Sequence, residues 1–169
     1  TRTSQTRDQA FALDNFGGYL QAVIKPAAHW TILPAWRMDQ FTGSLQNRLT
    51  GANYAVNHYG TIQQPKFSVV YNLADGHNLY ANWGRSFQIA TGASSYLVPP
   101  RTTDLTPSIN QGWELGWKFK LAEWAEGRLA TWSQIASDEV YKLLNSASGD
   151  SANLGRTRRD GQDLQINVK

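Results

Sequence analysis

The sequence predicts an all-β protein made of antiparallel, up-and-down strands of a transmembrane β-barrel, with about seven strands of a larger barrel present. Three observations support this prediction. Apolar and polar residues alternate along several segments, the connectors between these segments are short and long in turn, and hydrophobic residues make up 41% of the chain against 17% charged residues. Aromatic residues reach 12% and include seven Trp, which suits strands with one face toward apolar surroundings better than a soluble helical domain.

Period-two alternation is clearest over residues 109–120. Trp113 and Leu115 lie on one side of this segment, and Glu114 and Lys118 lie on the other. Because successive side chains of a strand point to opposite faces, the pattern predicts a strand with one apolar, aromatic face and one polar face. The same reasoning predicts, in chain order, strands over 15–25, 30–39, 66–73, 78–87, 109–120 and 128–136, and a last strand that follows Arg159 and alternates clearly over 164–169.

The connectors favour the same architecture because short and long ones follow each other. The short ones are 25–29, 74–77 and 121–127; the long ones, rich in Gly, Ser, Thr, Asn and Pro, are 42–65, 88–108 and 137–157. Tight turns on one rim and long loops on the other are typical of an outer-membrane barrel, whose loops are extracellular. Within the last loop, residues 138–145 could form a short helix with Asp138 as its cap.

A soluble β-sandwich that serves as a binding or interaction module is the alternative, because sandwich strands alternate too. The apolar face of a sandwich would consist mainly of packed Val, Leu and Ile. In this sequence, Trp and Phe stand opposite a face with many Gly, and the loop lengths alternate. The pattern therefore favours the membrane barrel over the sandwich.

Several function classes are disfavoured by the sequence. No segment approaches the ~20 consecutive apolar residues of a membrane helix, whereas a barrel strand needs only about 9–11. The chain has no Cys, and its basic residues are scattered at a net charge of +3, so neither a thiolate metal site nor nucleic-acid binding is expected. His29, His58 and His77 are isolated, and the neighbours Asp138 and Glu139 would point to opposite faces. We therefore expect no metal site, no cofactor and no enzyme activity.

Segments in a fixed order resemble the barrel strands of TonB-dependent siderophore receptors. Residues 18–25 and 30–39 resemble the family's strand pair that contains YLQDQIK and ends in an Arg-x-Asp pattern, matched by Arg37 and Asp39. The further segments similar to family strands are 65–71, 79–87, 112–118 and 155–164. The last one departs from the pattern, because Asp160 and Asp163 stand where the family usually has Gly beside Arg and a Glu. The resemblance covers nearly the whole chain, and the order of the segments makes it specific.

The resemblance implies an active-transport receptor in the outer membrane of a Gram-negative bacterium, with about 22 strands around a plug. Such a receptor takes up a ferric siderophore or a similar scarce nutrient, and TonB supplies energy through the plug. The implied partners are this ligand, TonB and outer-membrane lipid, and iron would arrive only within the ligand. The chain contains neither a plug nor a TonB box and stops at Lys169 in mid-alternation. We therefore expect residues 1–169 to be an internal fragment of the barrel domain that lacks the plug and the terminal strands.

The long loops are the expected ligand site. Arg together with stacking aromatic rings suits an anionic iron chelate, because a guanidinium combines charge, hydrogen-bond donors and a flat face. The loop candidates on this basis are Arg85, Tyr96, Arg101, Tyr54, His58 and Tyr59.

The polar strand faces are expected to line the barrel lumen. The residues predicted there are Arg37, Asp39, Glu114 and Lys118, with a structural role in pairing across strands or holding the plug. Trp side chains on the apolar faces, including Trp30 and Trp117, are expected to anchor the barrel near the lipid headgroups.

Overall fold

A computed structural model describes residues 6–99, 104–143 and 151–168. Its elements are β1 (Gln9–Gln21), β2 (Trp30–Asn47), β3 (Asn53–Ala55), β4 (Ile62–Ala74), β5 (His77–Gln88), a 3-10 turn (Gly92–Ser95), β6 (Ser108–Ala122), β7 (Ala125–Ser137), β8 (Val140–Lys142), β9 (Ser151–Asn153) and β10 (Thr157–Val168). Within these ranges, no helix is long and apolar enough to cross a membrane.

The long strands form one antiparallel sheet in which each strand pairs with the next long strand along the chain. The order is β1-β2-β4-β5-β6-β7-β10, and the short β3 attaches to β2. The predicted up-and-down topology and the seven predicted strands are confirmed. The short β8 and β9 pair with each other as a separate hairpin in the last long loop, so the helix expected from Asp138 is wrong. Asp138 has a φ of 56°, which ends β7 and turns the chain into β8.

The connectors alternate in length as predicted. Residues 75–76 and 123–124 are tight turns, and 22–29 contains a single bridge between Ile24 and Ile32. Gly76 has a φ of 72°, the left-handed conformation that an Asp-Gly hairpin turn requires. A Cβ at this position would also lie 2.7 Å from the Cβ of Lys120, so both the backbone conformation and the space available favour glycine there.

The largest differences from the predicted strand bounds are in β1 and β2. β2 continues to Asn47 instead of ending at residue 39, and β1 begins at Gln9 instead of 15, because the two strands pair along their whole length from Gln9 with Asn47 to Gln21 with Ala35. The alternation fades over residues 40–47 although the strand continues. Hydrogen bonding to β1, not a change in side-chain pattern, sets the end of this strand.

The sheet has an apolar face and a polar face. Residues paired directly with each other on successive strands form a row across the sheet. One such row on the apolar face is apolar on all six strands that it crosses: Trp30, Tyr71, Leu79, Trp117, Leu129 and Leu164. The polar face lies on the other side and carries Asp39, Tyr80 and Glu114. Phe16, Leu20 and Leu164 on the apolar face are 72%, 73% and 66% exposed, so no second sheet covers that face within the described residues. The β-sandwich alternative is therefore wrong.

The apolar belt, meaning the apolar part of the apolar face, runs diagonally across the sheet. The next row of the apolar face, which begins at Ile32 and lies two residues nearer the loops than the row of Trp30, changes from apolar to polar between β6 and β7. Its residues are Ile32, Val69, Ala81, Leu115, Thr131 and Gln162. The next row changes at the same place: Pro34, Phe67, Trp83, Trp113, Ser133 and Asp160. On β1 and β2 the belt continues further toward the loops, to Phe16 and Met38. A diagonal boundary is expected when strands cross a flat apolar layer at a tilt of about 35–45°.

The best-buried residues lie at the loop end of the sheet. The largest fully buried side chains among the described residues are Tyr96, Leu45, Asn57, Asp39 and Ser95. Several of them belong to the long connectors, so these connectors pack as part of the structure.

Candidate functional site: the loop assembly and the polar face

The loop assembly comprises the described parts of the three long connectors, 48–61, 89–107 and 138–156. The first two are joined by a bridge between Val56 and Tyr96 and by the Leu97 N–H, which donates to the Ala55 carbonyl at 2.9 Å. The second and third are joined by the hydroxyl pair of Ser94 and Ser151 at 2.9 Å. All three connectors therefore form one assembly above the sheet.

Asn57 is the central polar residue of the assembly. It is 1% exposed, and its backbone N–H donates to the Ser95 carbonyl at 2.9 Å. Its side-chain amide donates to the Ser94 carbonyl at 2.8 Å and to the Tyr59 hydroxyl at 3.0 Å. A buried amide is stable only when its donors are used in this way. Sequence reasoning missed Asn57, because an Asn in a polar loop looks the same whether it is buried or solvated.

Tyr96 and Tyr59, both predicted as ligand contacts in the loops, are interior residues. Tyr96 is 2% exposed, its hydroxyl donates to the Ala12 carbonyl at 2.9 Å, and its ring lies 5.8 Å from that of Phe11. Burial raises the pKa of the Tyr96 phenol. Tyr59 is 7% exposed and packs its ring edge-on against Phe41. Both rings support the loop assembly from below and offer little surface to a ligand.

His58 is an exposed member of the predicted ligand residues. Its side chain is 76% exposed, and its Nδ1 lies 2.7 Å from a carboxylate oxygen of Asp104, which connects the first and second loops. Tyr54 is half-buried in β3, opposite Leu45 of β2. Arg101, the remaining loop candidate of the second connector, lies outside the described residues.

Arg85 is not in a loop, and that part of its prediction is wrong. It lies within β5, two residues beyond Trp83 and therefore on the apolar face, where its Nε donates to the Gln111 side chain at 3.1 Å. The strands continue beyond the apolar belt toward the loops. The strand predicted over 78–87 already contains Arg85, so its place among the loop candidates did not agree with that prediction.

Asp39 is the centre of a network on the polar face near the loops. It is fully buried and accepts hydrogen bonds from Arg37 (two, at 2.7 Å), Gln64 (2.7 Å) and Asn15 (3.1 Å). Gly17 lies beneath these groups, and a Cβ there would come within 2.6 Å of an Asp39 carboxylate oxygen. The network joins β1, β2 and β4.

A second network on the polar face lies nearer the short turns. The Tyr80 hydroxyl donates to Glu114 at 2.6 Å, and Arg128 donates to both groups at 2.6 Å. The Tyr80 ring lies across Gly116, where any Cβ would collide with it, and Lys118 approaches the ring to 5.6 Å from its centroid. Of the residues predicted to pair across strands, Asp39 and Glu114 do so, whereas Arg37 pairs with Asp39 on its own strand, β2. Their role in lining a lumen, and that of Lys118, stays a prediction.

An open recess of about 420 Å³ lies on the polar face between the two networks. Its floor is the register pair Gly84 and Gly112, which have no side chains to fill it. Its lining includes Lys66, Asn82, Asn110, Trp132 and Gln134. Arg85 and Glu114 also border the recess. Within the described ranges Lys66 is in no ion pair, so its positive charge is uncompensated beside the amide groups. Sequence reasoning missed this site because it depends on two glycines from different strands lying side by side.

The described residues contain no group of three or more His, Asp or Glu that could hold a metal ion. The side chains at this end of the sheet offer amide groups, hydroxyl groups and cations around an open surface.

Acidification is expected to loosen the third loop. The pKa of Glu139 is lowered, chiefly by hydrogen bonds from Arg159 and also by one from Thr157. A carboxyl with a lowered folded-state pKa adds stability above its ordinary pKa, about 4.3, and loses that contribution as pH falls through the folded value. The protection of amides 139–142 against hydrogen exchange, measured relative to the intrinsic exchange rate at each pH, should therefore fall below about pH 4. Glu139→Gln should remove that pH dependence, and an unchanged pH profile in this variant would contradict the assignment.

Comparison with known proteins places this architecture among receptor barrels. The family model described as TonB dependent receptor-like, beta-barrel matches residues 1–169. The ferric citrate transporter FecA in its unliganded form is similar at a TM-score of 0.76 and 22% identity, over 98% of this chain and 24% of that one. The ferric-catecholate import receptor Fiu from E. coli K12 matches at 0.73 and 16% identity, over 96% and 26%. The alcaligin outer-membrane receptor FauA from Bordetella pertussis matches at 0.68 and 17%, over 95% and 28%. The chain thus spans about a quarter of these proteins.

Proposed function

Because the chain belongs to the TonB-dependent receptor-like β-barrel family, we propose that it forms part of the wall of an outer-membrane transport receptor in a Gram-negative bacterium. The observation that best supports this proposal is the diagonal apolar belt, the pattern expected when tilted barrel strands cross a bilayer. The belt covers residues 30–38 of β2, and opposite them residues 16–24, which begin in β1 and continue into the connector after it. Each is about the 9–11 residues that a tilted membrane strand needs.

The proposed ligand is a ferric siderophore or another anionic chelate of a scarce nutrient. Similar structures are named for ferric citrate, ferric catecholate and alcaligin. The lone cation Lys66 beside the amides of Asn82 and Asn110 suits an anionic ligand rich in oxygen atoms. We propose that the exposed His58 and the half-buried Tyr54 meet the ligand first and that the recess holds it next. Arg101, which lies outside the described residues, is a further proposed contact. The role is binding and passage, so the proposal assigns no bond-making or bond-breaking step to this chain.

The proposed energy source is TonB, acting through a plug inside the barrel. The Asp39 and Tyr80 networks would stiffen the wall around such a plug, because each ties together three neighbouring strands. Arg37, Asp39, Glu114 and Lys118 would then line the lumen.

The experiment is an uptake assay with the protein as cells make it. Iron-starved cells that lack other ferric citrate receptors should take up radioactive iron from ferric citrate when they express the protein, and uptake should stop when TonB is deleted. Lys66→Glu should weaken uptake at low chelate concentration, because it reverses the charge of the recess, whereas the similarly exposed Arg48→Glu should have a smaller effect. The proposal would be contradicted if cells with TonB and cells without TonB took up equal amounts of iron, both from ferric citrate and from catecholate chelates.

A further inference from the structure

The apolar face has a cavity of about 290 Å³ over Ala81, close to the lower end of the volume range of small-ligand pockets. It is lined by Phe67, Val69, Ala81, Trp83, Trp113 and Leu115, and its surface is almost wholly apolar. Ala81 lies between Val69 and Leu115 in the register, so its short side chain leaves the cavity open. Trp83 and Trp113, opposite each other on β5 and β6, close the cavity on the side of the loops.

Arg85 lies immediately beyond this cavity, on the same face. It follows Trp83 by two residues, is exposed, and is opposite Gln111 in the register. Its Nε donates to the Gln111 carbonyl oxygen, which fixes the guanidinium and leaves its other N–H groups and the Gln111 amide N–H₂ as donors. Within the described ranges Arg85 has no carboxylate partner. The result is an apolar cavity with a cation at its loop-side end.

We propose that this is a binding site for one anionic, phosphate-bearing lipid of the surrounding membrane. An acyl chain fills the cavity over Ala81, and the phosphate contacts Arg85 and Gln111. The inference rests on the proposed membrane location, and it adds a specific lipid to it.

Two features favour a lipid over other occupants. The cavity is continuous with the apolar belt, so an acyl chain reaches it without leaving apolar surroundings. The charge at its end is positive and lies just beyond the belt, at the level where headgroup phosphates are found. A second copy of the chain fits poorly, because it would bring a second Arg85 toward the first.

The test measures which lipids stay bound to the protein. The protein, reconstituted in vesicles of phosphatidylcholine with a minor fraction of phosphatidylglycerol and then extracted gently, is analysed by native mass spectrometry. We expect one phosphatidylglycerol to be retained in preference to phosphatidylcholine. Arg85→Gln should reduce this preference about fivefold, the factor equivalent to ~1 kcal/mol for one basic residue at a membrane surface. Arg48→Gln, the same substitution in the first loop, should leave the preference unchanged.

A second pair of variants tests the cavity. Ala81→Leu fills it and should lower retention of both lipids, whereas Leu129→Phe also adds bulk on the apolar face, outside the cavity, and should not. Far-UV circular dichroism of each variant checks that the sheet forms. Wild-type preference that survives Arg85→Gln, or retention that survives Ala81→Leu, overturns the lipid site. If the wild-type protein inserts and transports but shows no lipid preference, the lipid site is wrong and the proposed function stands. If the protein does not insert into the vesicles, the lipid site and the proposed function are both wrong.

Discussion

Leu20→Arg is expected to destabilise the membrane-inserted protein by about 2–4 kcal/mol, the cost of a basic side chain on the lipid face near the bilayer midplane. Leu20 is 73% exposed on the apolar face and lies in the middle of the belt segment 16–24, which begins in β1 and continues into the connector after it. A guanidinium there would have no water and no anion within reach. The measurement is the denaturant midpoint of unfolding in lipid vesicles, followed by tryptophan fluorescence.

The neighbouring residue provides the control. Gln21 lies on the polar face, opposite Ala35, so Gln21→Arg adds the same charge at nearly the same depth on the other side of the sheet. We expect its unfolding midpoint to stay close to that of the wild type. If both variants are equally destabilised, or if neither is, the apolar face does not meet lipid and the membrane assignment fails.

The fold could be predicted from the sequence because a single physical signal repeats in every long strand. Trp113, Leu115 and Trp117 alternate with Glu114 and Lys118 because one face meets apolar surroundings and the other does not. The signal disappears outside the belt, where both faces meet water. For that reason the loop-side ends of β1 and β2 were predicted too short.

The candidate site was less predictable because its residues depend on contacts between distant parts of the chain. Tyr96 and Tyr59 lie in the predicted long connectors, but nothing local distinguishes a solvated loop tyrosine from one packed under another loop. Asn57 contacts Ser94 and Ser95, and Lys66 borders a recess built from Gly84 and Gly112. These partners are set by strand register, which alternation alone does not determine.

Asp39→Ala is expected to cost about 3 kcal/mol of stability, toward the lower end of the ~3–5 kcal/mol for breaking a buried ion pair. Asp39 is fully buried and accepts from three side chains, and its removal leaves Gln64, itself 8% exposed, without its acceptor. The Arg37 side chain is 48% exposed, so water can hydrate it once Asp39 is gone. The expected loss of stability therefore lies toward the lower end of that range. Denaturant unfolding in micelles or vesicles measures the difference.

The same strand pattern occurs a second time in the chain and serves as the matched control. Arg158 and Asp160 have the same spacing and a similar ion pair at 2.9 Å, but their side chains are 65% and 53% exposed. An exposed pair contributes about 0–1 kcal/mol, so Asp160→Ala should hardly change the midpoint. A double variant, Arg37→Ala with Asp39→Ala, should be less destabilised than the sum of its single variants, because the two groups share one network. Equal effects of Asp39→Ala and Asp160→Ala would mean that burial of the carboxylate is not what makes the first pair important.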